Sequence, residues 1–438
     1  MKTKQIKPSN RWLNLVEKTI IRQNDKLFPI LDNLCFLSKN IYNCTIYQFR
    51  QAFIHEHKYL SYNEVDKYFK DTNNIDYTAL PRKVAQKSIQ LASQMFTAFY
   101  GSLKSKKENN STKKVGLPRY LDSVTGRQTI LYTNQAVSTK KLKKESYYTL
   151  SQVTDNNNNL IKFKTSVKNI QFVRISHHGN HIIIEVGYRV YKPFPKTTEN
   201  IAAIDLGVNN IVTLTTNFDS PYIINGKPLK FINHKYNSKI AKIQSTNSYC
   251  NNIKNNAWTK HMYDISLRRY CQLNDYMHKI SRLIVNYLVS NHVSVLIVGK
   301  NNGWKQNTNM SKTNNQNFVQ IPFNNLIHML TYKCELAGIK CVTICESHTS
   351  KCSFIDNEKI CHHNNYVGKR KSRDLFYTKN KLCINADVNG SYNIMRRWCI
   401  SNNKEHYLKF NKYLVCKNPT IITLKLNGKK CNIEEYIN

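Results

Sequence analysis

The chain has 438 residues and carries 66 lysines and arginines against 27 acidic residues, a formal net charge of +39. Self-repulsion at this charge opposes compaction, so the composition excludes a small-metabolite enzyme and predicts a polyanionic partner. Apolar residues make up 41% of the chain, which is enough for folded cores and excludes a disordered basic tail. The length suits about two or three domains.

The amino terminus is polar and charged, and no apolar run approaches the roughly 18 residues of a membrane span. We therefore expect an intracellular protein that is not secreted and has no transmembrane segment, with a nuclear location open if the host is eukaryotic. The 13 cysteines are then expected to be mostly reduced thiols.

The first half of the chain is predicted to combine helices with a β-rich module. Apolar residues recur at helical spacing from about residue 27 to 100. The charged segment 104–116 predicts an exposed loop, and short alternating runs over about 117–195 predict strands. We expect residues 1–24 and 117–195 to form the β-rich module, with 25–116 as a helical insertion.

After residue 195 the pattern changes to alternating strands and helices. The predicted elements are the strands IAAIDLG (201–207) and NNIVTLTTN (209–217), a helix over about 256–290, the strand VSVLIVG (293–299), a helix over about 322–337, the strand IKCVTIC (339–345) and a helix beginning near Asp387. This order indicates an α/β domain over residues 196–398 and resembles the RNase H-like fold. Residues 399–438 are expected to form a C-terminal tail.

Three acids stand at strand or helix ends in this domain. Asp205 ends a strand that should be buried, where an unpaired carboxylate is costly unless a metal ion or a turn holds it. Asp387 lies where a helix begins, and Glu346 follows an apolar strand. Mg²⁺ prefers oxygen ligands, and two such ions can clamp a phosphodiester. Each acid also has an ordinary explanation, as a turn cap, a helix cap or a solvated strand end.

Six ordered strings resemble one known family. They are IAAIDLGVNNIVTLTTN, LIVGKNNGWKQ, NQNFVQIPFNNLIHML, ESHTSKCSFIDNE, GKRKSR and INADVNGSYNIMRR. In this order they resemble the TnpB proteins of bacterial transposons and the eukaryotic and viral relatives called Fanzor, and LCFLSKNIYNCTIYQFRQAF and LPRYLD extend the likeness over nearly the whole chain. The resemblance implies an RNA-guided DNA endonuclease with a RuvC nuclease domain, related to type V CRISPR effectors.

The family's catalytic acids map onto individual positions. Asp205 matches the first RuvC aspartate and Asp387 the last, in its N-A-D-x-N setting. Gly299 stands where many relatives have a glutamate, so the match is to the subgroup with a rearranged site, whose glutamate is Glu346. Glu335 and Glu358 are weaker alternatives, because the first falls in an amphipathic helix and the second in a loop.

The resemblance also implies the remaining architecture and partners. The expected fold is an α/β multidomain protein, in which a RuvC nuclease domain joins a β-barrel-like wedge module with a helical recognition insertion. The expected cofactor is Mg²⁺, as two ions, and the expected partners are a guide RNA similar to ωRNA and double-stranded target DNA beside a short flanking motif. The protein is expected to be monomeric within the ribonucleoprotein. Residues predicted to contact nucleic acid are Arg50, Lys305, Lys369, Arg370 and Arg373, although charge runs also occur on solvated faces.

Many relatives carry a zinc site formed by two C-x-x-C pairs between the second and third acids. Here the insert 346–387 contains no C-x-x-C, but Cys352, Cys361, His363 and Cys383 could ligate Zn²⁺. A degenerate, metal-free target-loading loop is the alternative, and we favour it.

The function predicted first is a Mg²⁺-dependent, RNA-guided DNA endonuclease associated with a mobile element. A guide- or DNA-binding transposition accessory or repressor with an inactive nuclease centre is the second possibility. A transposase that joins DNA strands is the third, and it would use the same acids.

Overall fold

The computed structural model describes residues 11–110, 112, 114–250, 258–301, 303, 312–372, 374–408 and 415–425. The chain divides into two compact units, one of residues 14–190 and the other of residues 1–13 and 191–438. No helix in the described ranges is both long and apolar enough to span a bilayer.

The unit of residues 14–190 combines five helices with seven strands over the residues described. Its elements are β1 (Trp12–Arg22), α1 (Phe28–His55), α2 (Tyr62–Asp71), α3 (Ile75–Thr78), α4 (Arg82–Glu108), β2 (Ile130–Thr133), β3 (Val137–Ser138), α5 (Leu142–Glu145), β4 (Tyr147–Thr154), β5 (Leu160–Lys164), β6 (Ile170–His177) and β7 (His181–Tyr191), with a 3₁₀ turn at Asn134–Ala136. The strands form one sheet of order β1-β7-β6-β2 and a second of order β3-β4-β5.

Helices and strands of this unit share one hydrophobic core. Leu31 of α1 and Phe96 of α4 are buried in the same cluster as Tyr132 of β2 and Val173 of β6. The helices and strands of residues 14–190 therefore pack together in one compact unit. A charge-assisted pair reinforces the core, because Arg127 donates through Nη2 to Asp32 Oδ2 of α1 at 2.9 Å.

Helix α4 runs further than the sequence pattern predicts. The segment 104–116 was expected to be a loop, yet α4 continues through Glu108. Lysine and glutamate are good helix formers, and Lys104 pairs with Glu108 one turn later at 3.9 Å. A charged, solvated helix end lacks the apolar periodicity on which the prediction depends.

The second unit contains the α/β domain. Its elements after residue 200 are β8 (Ile201–Asp205), β9 (Asn210–Thr216), β10 (Tyr222–Asn225), α6 (Lys227–Cys250), α7 (Lys260–Ser290), β11 (Val295–Gly299), α8 (Lys312–Gln320), α9 (Phe323–Leu336), β12 (Lys340–Ile344), β13 (Lys369–Arg370), β14 (Leu375–Tyr377), β15 (Cys383–Asn385), α10 (Ala386–Ser401) and β16 (Thr420–Ile422), with a 3₁₀ turn at Glu405–Leu408.

Six of these strands form one mixed sheet of order β12-β11-β8-β9-β10-β16. Strand β8 lies parallel to β11, which lies parallel to β12. Strand β9 is antiparallel to both β8 and β10. Strands β13, β14 and β15 form a small separate sheet.

Residues 201–204 of β8 are all apolar because both faces of this strand are covered. Ala202 and Ile204 belong to the core formed with α7 and α9. Ile201 and Ala203 belong to the core formed with Ile394 and other residues of α10. A strand buried on both faces reads as a continuous apolar run and not as an alternating one.

Several elements of this domain were not predicted, and β10, α6 and β16 are three of them. Strand β10 has four residues, and α6 is rich in asparagine and lysine, so neither produces a clear periodic pattern. Strand β16 lies in the segment expected to be a tail, yet Thr420–Ile422 pairs in parallel with β10 and extends the main sheet. Three residues are too few to carry a strand signal.

Candidate metal centre

The sheet brings the ends of three strands to one edge. Ile204 of β8 pairs with Val298 of β11, and Gly299 of β11 pairs with Ile344 of β12. Because these strands are parallel, Asp205 and the residues that follow Ile344 lie at the same carboxyl edge. Helix α10 packs on β8, β9 and β11 and so brings its own first turn to this sheet.

Asp205 ends β8 at this edge. The residue keeps some exposure, while its carboxyl group is enclosed by protein. Burial raises the pKa of Asp205 well above its usual value, and the charges of Glu346 and Asp387 raise it further, whereas the Leu206 N–H and Arg370 act in the opposite direction. Asp205 therefore lies within electrostatic range of Glu346 and Asp387, although the three acids come from separate parts of the chain.

Glu346 follows β12 and uses space that Gly299 leaves open. A Cβ atom at residue 299 would lie 2.8 Å from Glu346 Oε2 and would overlap Ile394 Cδ1. Glu346 Oε2 is buried and has no hydrogen-bond partner. Burial raises the pKa of Glu346 to about 7. A glutamate at 299 and Glu346 could not both occupy this space, which gives a physical reason for the glycine.

Asp387 lies in the first turn of α10, but it is not the helix cap. Asn385 is the N-cap, and its Oδ1 accepts hydrogen bonds from the Asp387 N–H at 3.0 Å and the Val388 N–H at 3.2 Å. The Asp387 carboxylate is thereby free to face the sheet. There Oδ2 accepts from Asn210 Nδ2 at 2.8 Å, and Oδ1 lies 3.3 Å from Arg370 Nη2.

The donor set of this centre suits a hard divalent cation. Carboxylate oxygens are the ligands that Mg²⁺ prefers, and the unpartnered Glu346 Oε2 is a buried oxygen that a cation would satisfy. In the described ranges, no three histidine, cysteine or acidic side chains stand together as ligands of a single ion. The carboxyl groups of Asp205, Glu346 and Asp387 would therefore have to approach one another further to share one.

The two alternative glutamates have structural roles elsewhere. Glu335 forms an ion pair with Lys192 at 2.8 Å. Glu358 is buried, and its two oxygens accept hydrogen bonds from the Ser353 N–H at 2.7 Å and the Val367 N–H at 2.8 Å. The leading charges that act on Asp205 are those of Glu346, Asp387 and Arg370.

The residues predicted to contact nucleic acid have different surroundings. Arg370 pairs with Asp387, and Lys369 is exposed beside it on β13. Arg50 donates through Nη1 to the Pro118 carbonyl at 3.0 Å, so its guanidinium is partly engaged within the protein. Lys305 and Arg373 lie outside the described residues.

The four residues considered for zinc do not form a ligand group. Cys361 and His363 are in contact, with Sγ and Nε2 3.4 Å apart. Cys352 is buried, and its thiol donates to the Lys359 carbonyl at 3.4 Å. Cys383 is exposed on β15. The described part of the chain thus offers no tetrahedral zinc site at these positions.

Sequence reasoning missed four residues that shape the centre. Asn210 binds Asp387, and Gly390 faces Asp205. Asn301 and Arg397 hold the backbone around Glu346. Asn210 could have been found as the asparagine that directly follows residues 207–209, and Gly390 as a glycine inside a predicted helix. Nothing in the local pattern distinguishes Arg397 from its neighbour Arg396.

Two family models match this domain. One, described as "Probable transposase" (OrfB_IS605), matches residues 181–305, which contain β8, β9, β11 and Asp205. The other, described as the TNB domain of Cas12f1-like proteins, matches residues 323–394, which contain Glu346 and Asp387. All three acids thus fall within matched regions.

The wider comparisons extend over most of the chain. A TnpB-like protein, ORF457 of Acidianus two-tailed virus, is 23% identical over 436 residues, covering 90% of this chain and 88% of the relative. Cas12f1, solved in a complex with sgRNA and target DNA, aligns with a TM-score of 0.51 and 14% identity over 84% of this chain and 82% of its own. The chain therefore shares the mixed α/β fold of a Cas12 effector. Through these family matches and this curated relative, it is identified as a relative of the TnpB proteins.

Proposed function

We propose that the protein is an RNA-guided DNA endonuclease of the TnpB type, associated with a mobile element. It binds a guide RNA and cleaves complementary double-stranded DNA beside a short flanking motif. The hydrolysis of the phosphodiester depends on Mg²⁺, with two ions at the centre. The relationship to TnpB proteins and the Cas12f1-like fold support this assignment.

One observation carries the proposal. Asp205, Glu346 and Asp387 come from a strand, a loop and a helix, yet the charges of Glu346 and Asp387 both act on Asp205 at one edge of the sheet. Like charges placed together in a partly buried site destabilise the protein unless a cation or protons neutralise them. Such an arrangement is typical of a functional site rather than of a structural one.

We assign residues 196–398 to a RuvC nuclease domain of the RNase H type. The strand order β10-β9-β8-β11-β12, with β9 antiparallel to its neighbours, supports this assignment. We assign residues 25–116 to a recognition module, the strands of 1–24 and 117–195 to a wedge-like module, and 346–387 to a target-loading insert. The net charge of +39 suits the backbones of a guide–target heteroduplex.

The roles of the site residues follow from their chemistry. Asp205, Glu346 and Asp387 would hold the divalent cations, which when bound activate water and stabilise charge on the scissile phosphate. Asn210 orients the Asp387 carboxylate through its hydrogen bond of 2.8 Å. Arg370 forms an ion pair with Asp387 at 3.3 Å, and we assign its guanidinium and the Lys369 ammonium to binding phosphate oxygens.

The experiment is to purify the protein with its copurifying nucleic acid, sequence that nucleic acid, and assay cleavage of matched and mismatched DNA with and without Mg²⁺. We expect a discrete bound RNA and cleavage only of DNA that matches it. Asp205→Ala should abolish cleavage while leaving RNA binding nearly intact. Equal loss of both activities would mean that Asp205 is a structural residue.

Two other outcomes identify the alternative functions. Bound RNA without cleavage by the wild-type protein would indicate a guided binder with an inactive centre. Joining of DNA strands without a guide would indicate a transposase.

A further inference from the structure

Glu346 is delivered by a loop, so the sheet alone does not fix its position. It comes two residues after β12 ends at Ile344. Both of its backbone polar groups are nevertheless held. The Glu346 N–H donates to Asn301 Oδ1 at 3.1 Å, and the Glu346 carbonyl accepts from Thr349 Oγ1 at 2.7 Å. The backbone is thus constrained, while the carboxyl oxygen Oε2 has no hydrogen-bond partner.

Arg397 holds the two residues that flank Glu346. Its Nη1 donates to the Cys345 carbonyl at 2.7 Å, and its Nη2 donates to the Ser347 carbonyl at 2.8 Å. Nη2 also lies 3.2 Å from the Ile360 carbonyl. The planar guanidinium presents donors in a fixed fork, so one side chain can bridge two carbonyls that a lysine could only bind singly.

Arg397 belongs to the same helix that carries Asp387. Helix α10 begins at Ala386, and Asp387 and Arg397 lie ten positions apart on it. Between them, the buried Asn393 donates to the Thr349 and Cys352 carbonyls at 2.8 and 2.7 Å. A hydrogen-bonded helix maintains fixed distances along its length. Helix α10 therefore sets the position of Asp387 relative to the loop that carries Glu346.

We propose that Arg397, together with Asn301, is a positioning residue that sets Glu346 relative to Asp387 for binding a divalent cation. Among the described residues, Arg397 donates to the backbone carbonyls of Cys345, Ser347 and Ile360, so its effect on the cation would be transmitted through the Glu346 carboxylate. The inference rests on the proposed function, because it assumes that Glu346 is a metal ligand. Residues that orient metal ligands in this way commonly affect metal affinity or activity by about 10–100-fold.

The test compares Arg397→Ala, Arg397→Lys and Asn301→Ala with the wild-type ribonucleoprotein. Arg268→Ala is the matched control, since it removes a guanidinium from an exposed position on α7. Two readouts are measured over a Mg²⁺ series: the single-turnover cleavage rate, and the rise in Tm that Mg²⁺ or Mn²⁺ produces. RNA affinity is measured in parallel.

We expect Arg397→Ala to raise the half-saturating Mg²⁺ concentration about 10–100-fold in both readouts, with RNA affinity unchanged. Cleavage should recover in part at high Mg²⁺. Arg397→Lys should fall between Arg397→Ala and wild type, because a lysine can hold one of the two carbonyls. Arg268→Ala should match the wild type.

The outcomes separate this inference from the proposed function. If the wild type cleaves and Arg397→Ala has the wild-type Mg²⁺ dependence, the positioning role is wrong, even if the Tm without metal falls. If the wild type binds metal without cleaving and Arg397→Ala weakens that binding, the positioning role stands and the nuclease proposal fails. A wild type that neither cleaves nor gains stability from metal would overturn both.

Discussion

Gly390 lies against Asp205 so closely that a Cβ atom at residue 390 would be 2.7 Å from Asp205 Oδ2. Gly390 is buried within α10, where glycine costs roughly 0.5–1 kcal/mol relative to alanine. The helix therefore carries a destabilising residue at a point where it closely approaches the first acid. The space that the Asp205 carboxyl group needs explains why residue 390 is a glycine.

Gly390→Ala should for this reason raise helix propensity and lower activity. The added methyl group would displace the Asp205 carboxyl, and a misplacement of about 1 Å can cost roughly 100-fold in rate. Cleavage and Tm should be measured together. Gly101→Ala is the control, because Gly101 also lies inside a helix, α4, and nothing stands within 4 Å of an added Cβ. Equal activity of Gly390→Ala and wild type would contradict the close approach.

Gly299→Ala tests the space that Glu346 occupies. The new methyl group would meet both Glu346 Oε2 and Ile394 Cδ1, so we expect lower stability and a loss of cleavage. Adding Ile394→Val removes the Cδ1 atom, so of the second clash only the milder contact with Cγ1 at 3.2 Å remains. The double variant should regain Tm but not activity. Recovery of both would show that the clash with Ile394, and not the displacement of Glu346, caused the loss.

Asp205→Asn should stabilise the metal-free protein while abolishing cleavage. Asp205 is surrounded by protein and lies near two other acids, which raises its pKa and makes its charge unfavourable. Thermal unfolding in EDTA measures the effect, with about 2–4 °C in Tm expected for each kcal/mol gained. With Mg²⁺ the order should reverse, because the wild type alone gains from the cation. A lower Tm for Asp205→Asn in EDTA would contradict this explanation.

The stability that Glu346 contributes to the metal-free protein should fall as the pH rises. Burial raises the folded-state pKa of Glu346 from 4.5 to about 7, so the folded protein holds a proton that the unfolded chain releases. The resulting stability is fully present below pH 4.5 and is lost as the pH rises through about 7. Melting curves in EDTA from pH 5 to 8 should show a shallower fall for Glu346→Gln. Glu108→Gln, at an exposed helix end, should keep the wild-type slope.

Zinc removal should leave the protein unchanged. Because Cys352 donates to backbone carbonyls and Cys383 is exposed on a different element, a zinc-selective chelator should not change the Tm. Metal analysis should find far less than one zinc per chain. A stoichiometric zinc ion whose removal lowers the Tm would instead support the zinc site considered from the sequence.

The fold could be predicted best where both faces of a strand are covered. The apolar runs of β8 and β11 and the helix that begins beside Asp387 stand out in the sequence, and the resemblance of their strings to TnpB proteins is supported by the comparisons. The roles of Asp205, Glu346 and Asp387 stay predictions. The hydrogen bonds from Arg397 to the Cys345 and Ser347 carbonyls could not be predicted. They depend on which of the two adjacent arginines, Arg396 or Arg397, faces the loop that carries Glu346.

Strand β16 (Thr420–Ile422) covers the outer edge of β10 (Tyr222–Asn225), which comes about 200 positions earlier in the chain. During translation, the outer edge of β10 therefore lacks its partner strand until the ribosome has passed residue 422. Polypeptides that stop sooner would present β10 as an uncovered edge, the kind of surface that recruits strands from other molecules. Truncated products of this gene should accordingly be prone to aggregate, even though every proposed catalytic acid lies upstream of the break.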